Sequence, residues 1–160
     1  MDYLHYEKGW RLGVGIVLLN NKNKIFMGER LDNKGAWQMP QGGVKVGKNE
    51  KLYEAAIREL YEETGVKDAK LLIESKEWHY YNLPKSLANK LWGGKFLGQK
   101  QRWFLFNFSG QDTDIDIKVS KSPEFYKWKW VSSEDVLNEI VSFKKEIYKK
   151  VLLEFAVSNN

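Results

Sequence analysis

The 160-residue sequence has no cysteine. Disulfides and thiolate chemistry are therefore excluded, and a reducing compartment fits that absence. It has two histidines, His5 and His79, isolated from each other and in no zinc-type or catalytic-triad arrangement. No run approaches the ~20 apolar residues of a membrane span. The opening "MDYLHYEKGW" has no apolar stretch of signal-peptide length. A soluble, cytoplasmic protein with no membrane partner is expected.

What is present is a hydrophobic content of 42% and an aromatic content of 14%, enough for a substantial core. The length suits one domain, residues 1–160. The net charge of +5 and pI near 9.2 favour polyanionic partners such as RNA, nucleotides or acidic membranes, or simply a well-solvated basic surface.

"LGVGIVLL" (12–19) reads as a buried strand, "NNKNK" as a turn and "IFMGER" as the second arm of a hairpin. "WQMPQGG" (37–43) is extended, because Pro40 disfavours helix at Met39. Asn49 reads as an N-cap, and Tyr53, Ala56, Ile57 and Leu60 recur at helical spacing before Gly65 stops the chain. A helix is predicted from Glu50 to about Thr64. "KLLIESKEWHYYNL" contains a strand, residues 93–101 form a glycine- and lysine-rich loop, and "RWFLFNF" and "FYKWKWV" are strands. Ser132 with Asp135 resembles a capping box, opening a last helix from about Glu134 to Ala156. Trp37, Trp103, Trp128 and Trp130 read mostly as core. Mixed strands and helices give an α/β or α+β class.

Glu59, Glu62 and Glu63 fall at i, i+3, i+4 and so share one helical face, apart from the apolar stripe. Like charges this close repel unless something positive holds them. Hard divalent cations take oxygen ligands, and Mg2+ bridges carboxylates to substrate phosphates. The competing explanation is a solvated acidic face. What separates the two is the order of residues around the glutamates.

"RELYEETGV" (58–66), with Glu50 seven intervening residues before Arg58, resembles the Nudix box, here spanning about residues 42–66. The match departs in one place. Gly42 and Gly43 precede Glu50 by seven and six intervening residues rather than five, an insertion in the "VKVGKN" loop that leaves open which glycine fills the motif role and whether Glu50 pairs with Arg58. "WQMPQGG", "GQKQRWFLF", "SPEFYKWKWV" and "VSFKKEIYKKVLLEFA" follow in order and resemble the RNA 5′-pyrophosphohydrolase and dinucleoside polyphosphate hydrolase (invasion protein A) branch.

The resemblance implies the Nudix α/β/α sandwich with a mixed β-sheet, and Mg2+- or Mn2+-dependent phosphoanhydride hydrolysis using two or more ions. Glu59, Glu62, Glu63 and Glu124 would hold the metal. Glu63 or Glu124 would act as general base, Glu59 would count among the catalytic carboxylates, and Arg58 would orient them. Arg11, Arg30, Gln41, Gly42, Gly43, Lys100 and Gln101 are candidates for the phosphates, or ordinary solvated groups. Tyr81 and Phe143 would sit beside a base, although Phe143 also fits the apolar stripe of its helix. Lys144, a candidate for substrate binding, makes that helix basic with Lys145, Lys149 and Lys150, which would guide an RNA 5′ end or simply keep the helix soluble. The implied substrates are triphosphorylated RNA 5′ ends or dinucleoside polyphosphates, with no DNA partner and a monomeric protein. A non-catalytic nucleotide- or RNA-binding module, and a hydrolase of sugar nucleotides or coenzyme A, are the rivals.

Overall fold

In the computed structural model, which describes residues 4–157, the chain runs β1 (Trp10–Leu19), β2 (Ile25–Arg30), β3 (Trp37–Gln38), β4 (Gln41–Gly43), a 3-10 turn (Val46–Lys48), α1 (Leu52–Thr64), β5 (Lys70–Glu74), β6 (His79–Asn82) and α2 (Lys85–Ala88). A 3-10 turn (Leu91–Gly94), β7 (Gly98–Asn107), β8 (Phe125–Val131), α3 (Ser133–Glu139) and α4 (Ser142–Glu154) complete it. The single-domain expectation covers 1–160; its first and last three residues lie outside the described ones.

The sheet is mixed. β1 and β7 pair in parallel, Trp10 opposite Gly98 through Leu19 opposite Asn107. β2 and β4 flank β1 antiparallel, β5 and β6 share β7, and β8 pairs with β2. Side chains alternate across the strands, and both faces are apolar. Leu12, Val14, Ile16 and Leu18 of β1 join Phe104 and Phe106 of β7 under α1. Val17 and Leu19 join Trp103 and Leu105 under α3 and α4. Helices cover both faces, as the α/β/α expectation requires.

The elements differ from the sequence expectations in four places. First, α1 begins at Leu52, not Glu50. Asn49 is not its cap: it adopts φ 54 and closes the Val46–Lys48 turn. The insertion is absorbed in that turn, and the Glu54 carboxylate accepts from the Lys51 N–H at 2.9 Å to start the helix. Second, the buried face of α1 is Leu52, Ala55, Ala56, Leu60, Glu63 and Thr64, while Tyr53 and Ile57 stand 44% and 41% exposed. Two small alanines let the helix lie close to β1 and β4, and that rotation drives Glu63 inward. Third, Gly98–Gln101 is strand rather than loop, and the stretch before it holds two strands, β5 and β6. Fourth, the last helix is broken at Ile140 and Val141, both extended with ψ 145. α3 packs on β2, β3 and β8, whereas α4 packs on β6. A straight helix could not serve both ends of the sheet. The Ser132 cap is as predicted, its hydroxyl accepting from the Asp135 N–H at 3.2 Å.

The parallel β1–β7 pair depends on one missing side chain. A Cβ at Gly15 would enter the ring of Trp103, which is fully buried. Gly15→Ala is expected to destabilise the fold by ~1–3 kcal/mol through overpacking. A urea unfolding midpoint equal to that of the parent protein would contradict this packing.

Candidate active site

Strand β4 passes directly under α1, and two glycines make that approach possible. A Cβ at Gly42 would coincide with the Glu59 carboxylate, and one at Gly43 would meet the Arg11 guanidinium. Gly43 also supplies its carbonyl to Arg58 Nη2 at 2.8 Å. Both glycines therefore do part of the motif's work.

Arg58 is the organising cation. Its Nε and Nη2 donate to both oxygens of Glu50, at 2.7 and 2.9 Å, and its Nη1 donates to Glu59 at 2.7 Å and Glu62 at 3.1 Å. The Glu50–Arg58 pair forms despite the insertion. Its hydrogen bonds hold the Glu50 carboxyl below its ordinary value.

The three box glutamates are not equivalent. Glu62 is the outer one, its side chain 40% exposed. Glu59 lines the cleft. Burial pushes its carboxyl up to about 7, against the pull of Arg58. Glu63 lies behind the cleft wall at 2% exposure. Its Oε2 accepts from the Gln41 N–H at 3.0 Å, while its Oε1 is buried without a hydrogen bond. Burial first, then the charges of Glu59 and Glu124, raise it well above the usual carboxylate range. Glu124 is exposed and lines the cleft, and its backbone carbonyl accepts from the Leu31 N–H.

Among the described residues no three carboxyl or imidazole groups stand as a finished cation cage. The donor set nevertheless fits a hard divalent cation. All the candidate donors are carboxylate oxygens, one of them is an orphaned buried atom, and Glu59 and Glu63 repel each other until a positive charge joins them.

The cleft encloses about 480 Å3. Tyr81 and Phe143 form one wall, their ring centroids 5.9 Å apart. Gln41 Nε2 donates to the Tyr81 hydroxyl at 3.2 Å. Arg30 grips Asp32 through two bonds of 2.7 and 2.6 Å and reaches Gln38 Oε1 at 3.1 Å. Lys144, buried at 4% exposure, donates to the same Gln38 oxygen at 3.0 Å. Burial and the neighbouring Arg30 push its ammonium down to about 7. It is a buried member of the cleft, unlike Lys145, Lys149 and Lys150 on the exposed side of α4.

Two expected phosphate contacts lie elsewhere. Lys100 donates to the His5 carbonyl at 3.1 Å and covers the Trp78 ring at 4.6 Å, on the opposite face of β7 from Gln99. Gln101 is fully buried and accepts from Trp103 Nε1 at 3.0 Å. The β7 residue that lines the cleft is Gln99. The alternation would have found it had the strand been extended back to Gly98. Gln38, Asp32 and Trp92 also line the cleft, and no local sequence pattern marks them. Of the tryptophans, Trp103 is core, Trp37 borders the cleft under Lys129, and Trp128 and Trp130 pack around Phe26.

Against known proteins, the NUDIX domain family matches residues 9–151. The chain belongs to the Nudix family. It is 49% identical over 150 residues to a protein named RNA pyrophosphohydrolase from Wolbachia pipientis subsp. Culex pipiens, covering 94% of this chain and 91% of the relative. It is 46% identical over 152 residues to one of the same name from Rickettsia conorii, covering 94% and 92%. Among solved structures, the fold resembles E. coli dihydroneopterin triphosphate pyrophosphohydrolase, with TM-score 0.70, 18% identity, and 91% and 99% of the two chains covered. It also resembles C. elegans Ap4A hydrolase, with TM-score 0.66, 20% identity, and 91% and 98% covered. Nudix hydrolases generally use divalent metal ions, which agrees with the Nudix-box carboxylates described above.

The raised carboxyls set a pH dependence. Glu59 and Glu63 hold protons more tightly in the folded chain than at the ordinary value of 4.5. The metal-free protein therefore loses their contribution to stability as pH rises through the folded values. A cation must displace those protons, so Mg2+ affinity should rise from pH 6 to 8, by up to about tenfold per pH unit for each proton released. Calorimetry in buffers of different ionisation enthalpy reads this. An affinity independent of pH, with no proton release, would contradict the assignment of Glu59 and Glu63.

Proposed function

We propose that the protein is a divalent-cation-dependent pyrophosphohydrolase that converts the 5′-triphosphate end of RNA to a monophosphate, releasing pyrophosphate or phosphate. The observation that carries this reading is the mixed lining of one cleft. Glu59, Glu124 and Arg11 line it with charge suited to metal and phosphates, and Tyr81 with Phe143 gives it an aromatic wall suited to a base. The relatives named RNA pyrophosphohydrolase, similar over more than nine-tenths of this chain, support the substrate. The basic charge suits an RNA partner. We take the chain to be one Nudix domain acting as a monomer in the cytoplasm. No helix among the described residues is long and apolar enough to cross a membrane.

In the reaction an oxygen–phosphorus bond forms from water, the anhydride bond to the leaving phosphate breaks, and a carboxylate takes the water's proton. Glu59, Glu62, Glu63 and Glu124 would hold two or more Mg2+ or Mn2+ ions, which supply Lewis acidity and lower the pKa of bound water. Glu59 and Glu62 are tied to Arg58, whereas Glu63 and Glu124 make no ion pair among the described residues. Of that free pair only Glu124 borders the open cleft, and we assign it the proton. Arg58 positions the carboxylates. Arg11 and Arg30 present positive charge to the phosphates, and Lys144 borders the Tyr81 and Phe143 rings.

The test compares hydrolysis of a 5′-triphosphorylated RNA and of diadenosine tetraphosphate in Mg2+. Glu124→Gln should lower kcat by ~10²–10⁴, the range for losing a positioned base. Glu63→Gln should abolish turnover and Mg2+-induced thermal stabilisation, yet leave the metal-free protein at least as stable at pH 8, since it removes a buried carboxyl. Faster turnover of the dinucleotide would move the reading to dinucleoside polyphosphate hydrolysis at the same site. No turnover of either would overturn it and favour a binding module.

A further inference from the structure

The cations bordering the cleft mostly have oxygen partners. Arg30 holds Asp32 and Gln38, and Lys144 holds Gln38. Arg11 differs. Among the described residues it makes no hydrogen bond and no ion pair. It lies against a ring: Cζ is 4.4 Å from the centroid of Trp92. A π-face attracts a guanidinium without offering an acceptor oxygen, so the forked N–H donors stay uncommitted. That fork matches a phosphate in two-pronged fashion. A Cβ at Gly43 would collide with this guanidinium, so the glycine leaves it its place. Arg11 lines the same cleft as Glu59 and Glu124.

The conformation of Trp92 is itself unusual. It adopts φ 50 and ψ 34, left-handed for a bulky side chain, and Gly93 and Gly94 continue at φ 67 and 73. Such a residue persists only where its surroundings impose it. Here the connection from β6 to β7 turns sharply at Leu91–Gly94 and places the indole against the core under α4 and in the cleft.

We propose that Trp92 is a positioning residue: its ring holds the Arg11 guanidinium, free of any carboxylate, at the place where the substrate's polyphosphate lies beside Glu59 and Glu124. This rests on the hydrolase reading only in taking the anion to be that polyphosphate. The competing role for Trp92 is to stack directly on a base.

A probe with phosphates and no base separates these roles. Calorimetric binding of magnesium tripolyphosphate would be measured for the parent protein, Trp92→Ala, Trp92→Phe, Arg11→Ala and the Trp92→Ala/Arg11→Ala double variant. Trp92→Ala should weaken binding about tenfold, within the reach of a partly desolvated cation–π contact, and Trp92→Phe should restore it to within about twofold of the parent. In the Arg11→Ala background Trp92→Ala should add nothing, the signature of a shared interaction. With triphosphorylated RNA the loss should appear in KM, with kcat little changed. If Trp92→Ala does not fold, Trp92→Leu keeps apolar bulk without a π-face and should behave as the alanine variant is expected to. Additive losses, or a phenylalanine variant as weak as the alanine one, would overturn the proposal. So would unchanged tripolyphosphate binding with weakened RNA binding. Failure of the parent protein to cleave RNA would count against the proposed function and not against this pairing, which binding alone reads.

Discussion

Arg58 sits where the enlarged loop, the glycine pair and the helix meet, and its guanidinium lets Glu50, Glu59, Glu62 and the Gly43 carbonyl share one point. Without it, carboxylates within a turn of each other would splay apart or stay protonated. With it, β4 is pinned to α1 and Glu59 is turned toward the cleft. The side chain is only 20% exposed, so these contacts are worth more than a surface ion pair. Removing one partner of a buried pair costs ~3–5 kcal/mol, and the lower end suits this partial burial. The insertion before Glu50 is tolerated because its extra length folds into the Val46–Lys48 turn and leaves the Arg58 contacts alone.

Glu63 lies below this layer and pulls the other way. A carboxyl buried on the core side of α1 with one orphaned oxygen lowers the stability of the metal-free fold. Apolar packing on both faces of the sheet offsets that cost, with aromatic residues such as Phe104, Phe106 and Trp103 filling the space between sheet and helices. Natural sequences accept such a conflict between folding and polarity at functional sites. The cleft beyond extends the same logic: Lys144 is buried against a neutral amide and Arg11 against a ring.

Much of this was legible in the sequence. The helix carrying Glu59, Glu62 and Glu63, the strands β1, β2 and β8 and the Ser132 cap all follow from spacing and local chemistry. The direction of the helix was not legible. Tyr53 and Ile57 look like a core stripe, but Ala55 and Ala56 allow the closer approach, and side-chain size rather than apolarity decided the buried face. The break at Ile140–Val141 carries no proline or glycine, and it follows from the two ends of the sheet that α3 and α4 must cover. Lys100 and Gln101 fit the resemblance, but Lys100 falls on the opposite face of β7 from Gln99, since one residue of strand register exchanges the faces, and Gln101, on the face of Gln99, is buried against Trp103. Gln38 and Trp92 reach the site through tertiary packing that no window of sequence contains.

We propose that Glu59 and the buried Glu63 together hold the cation. The most direct measurement is the position of Mn2+ in crystals of the protein, located by its anomalous scattering. The account predicts an ion ~2.1 Å from carboxylate oxygens of Glu59 and Glu63, with Oε1 of Glu63 gaining its missing partner. Ions held only by outer carboxylates, with Glu63 still unpartnered, would contradict it.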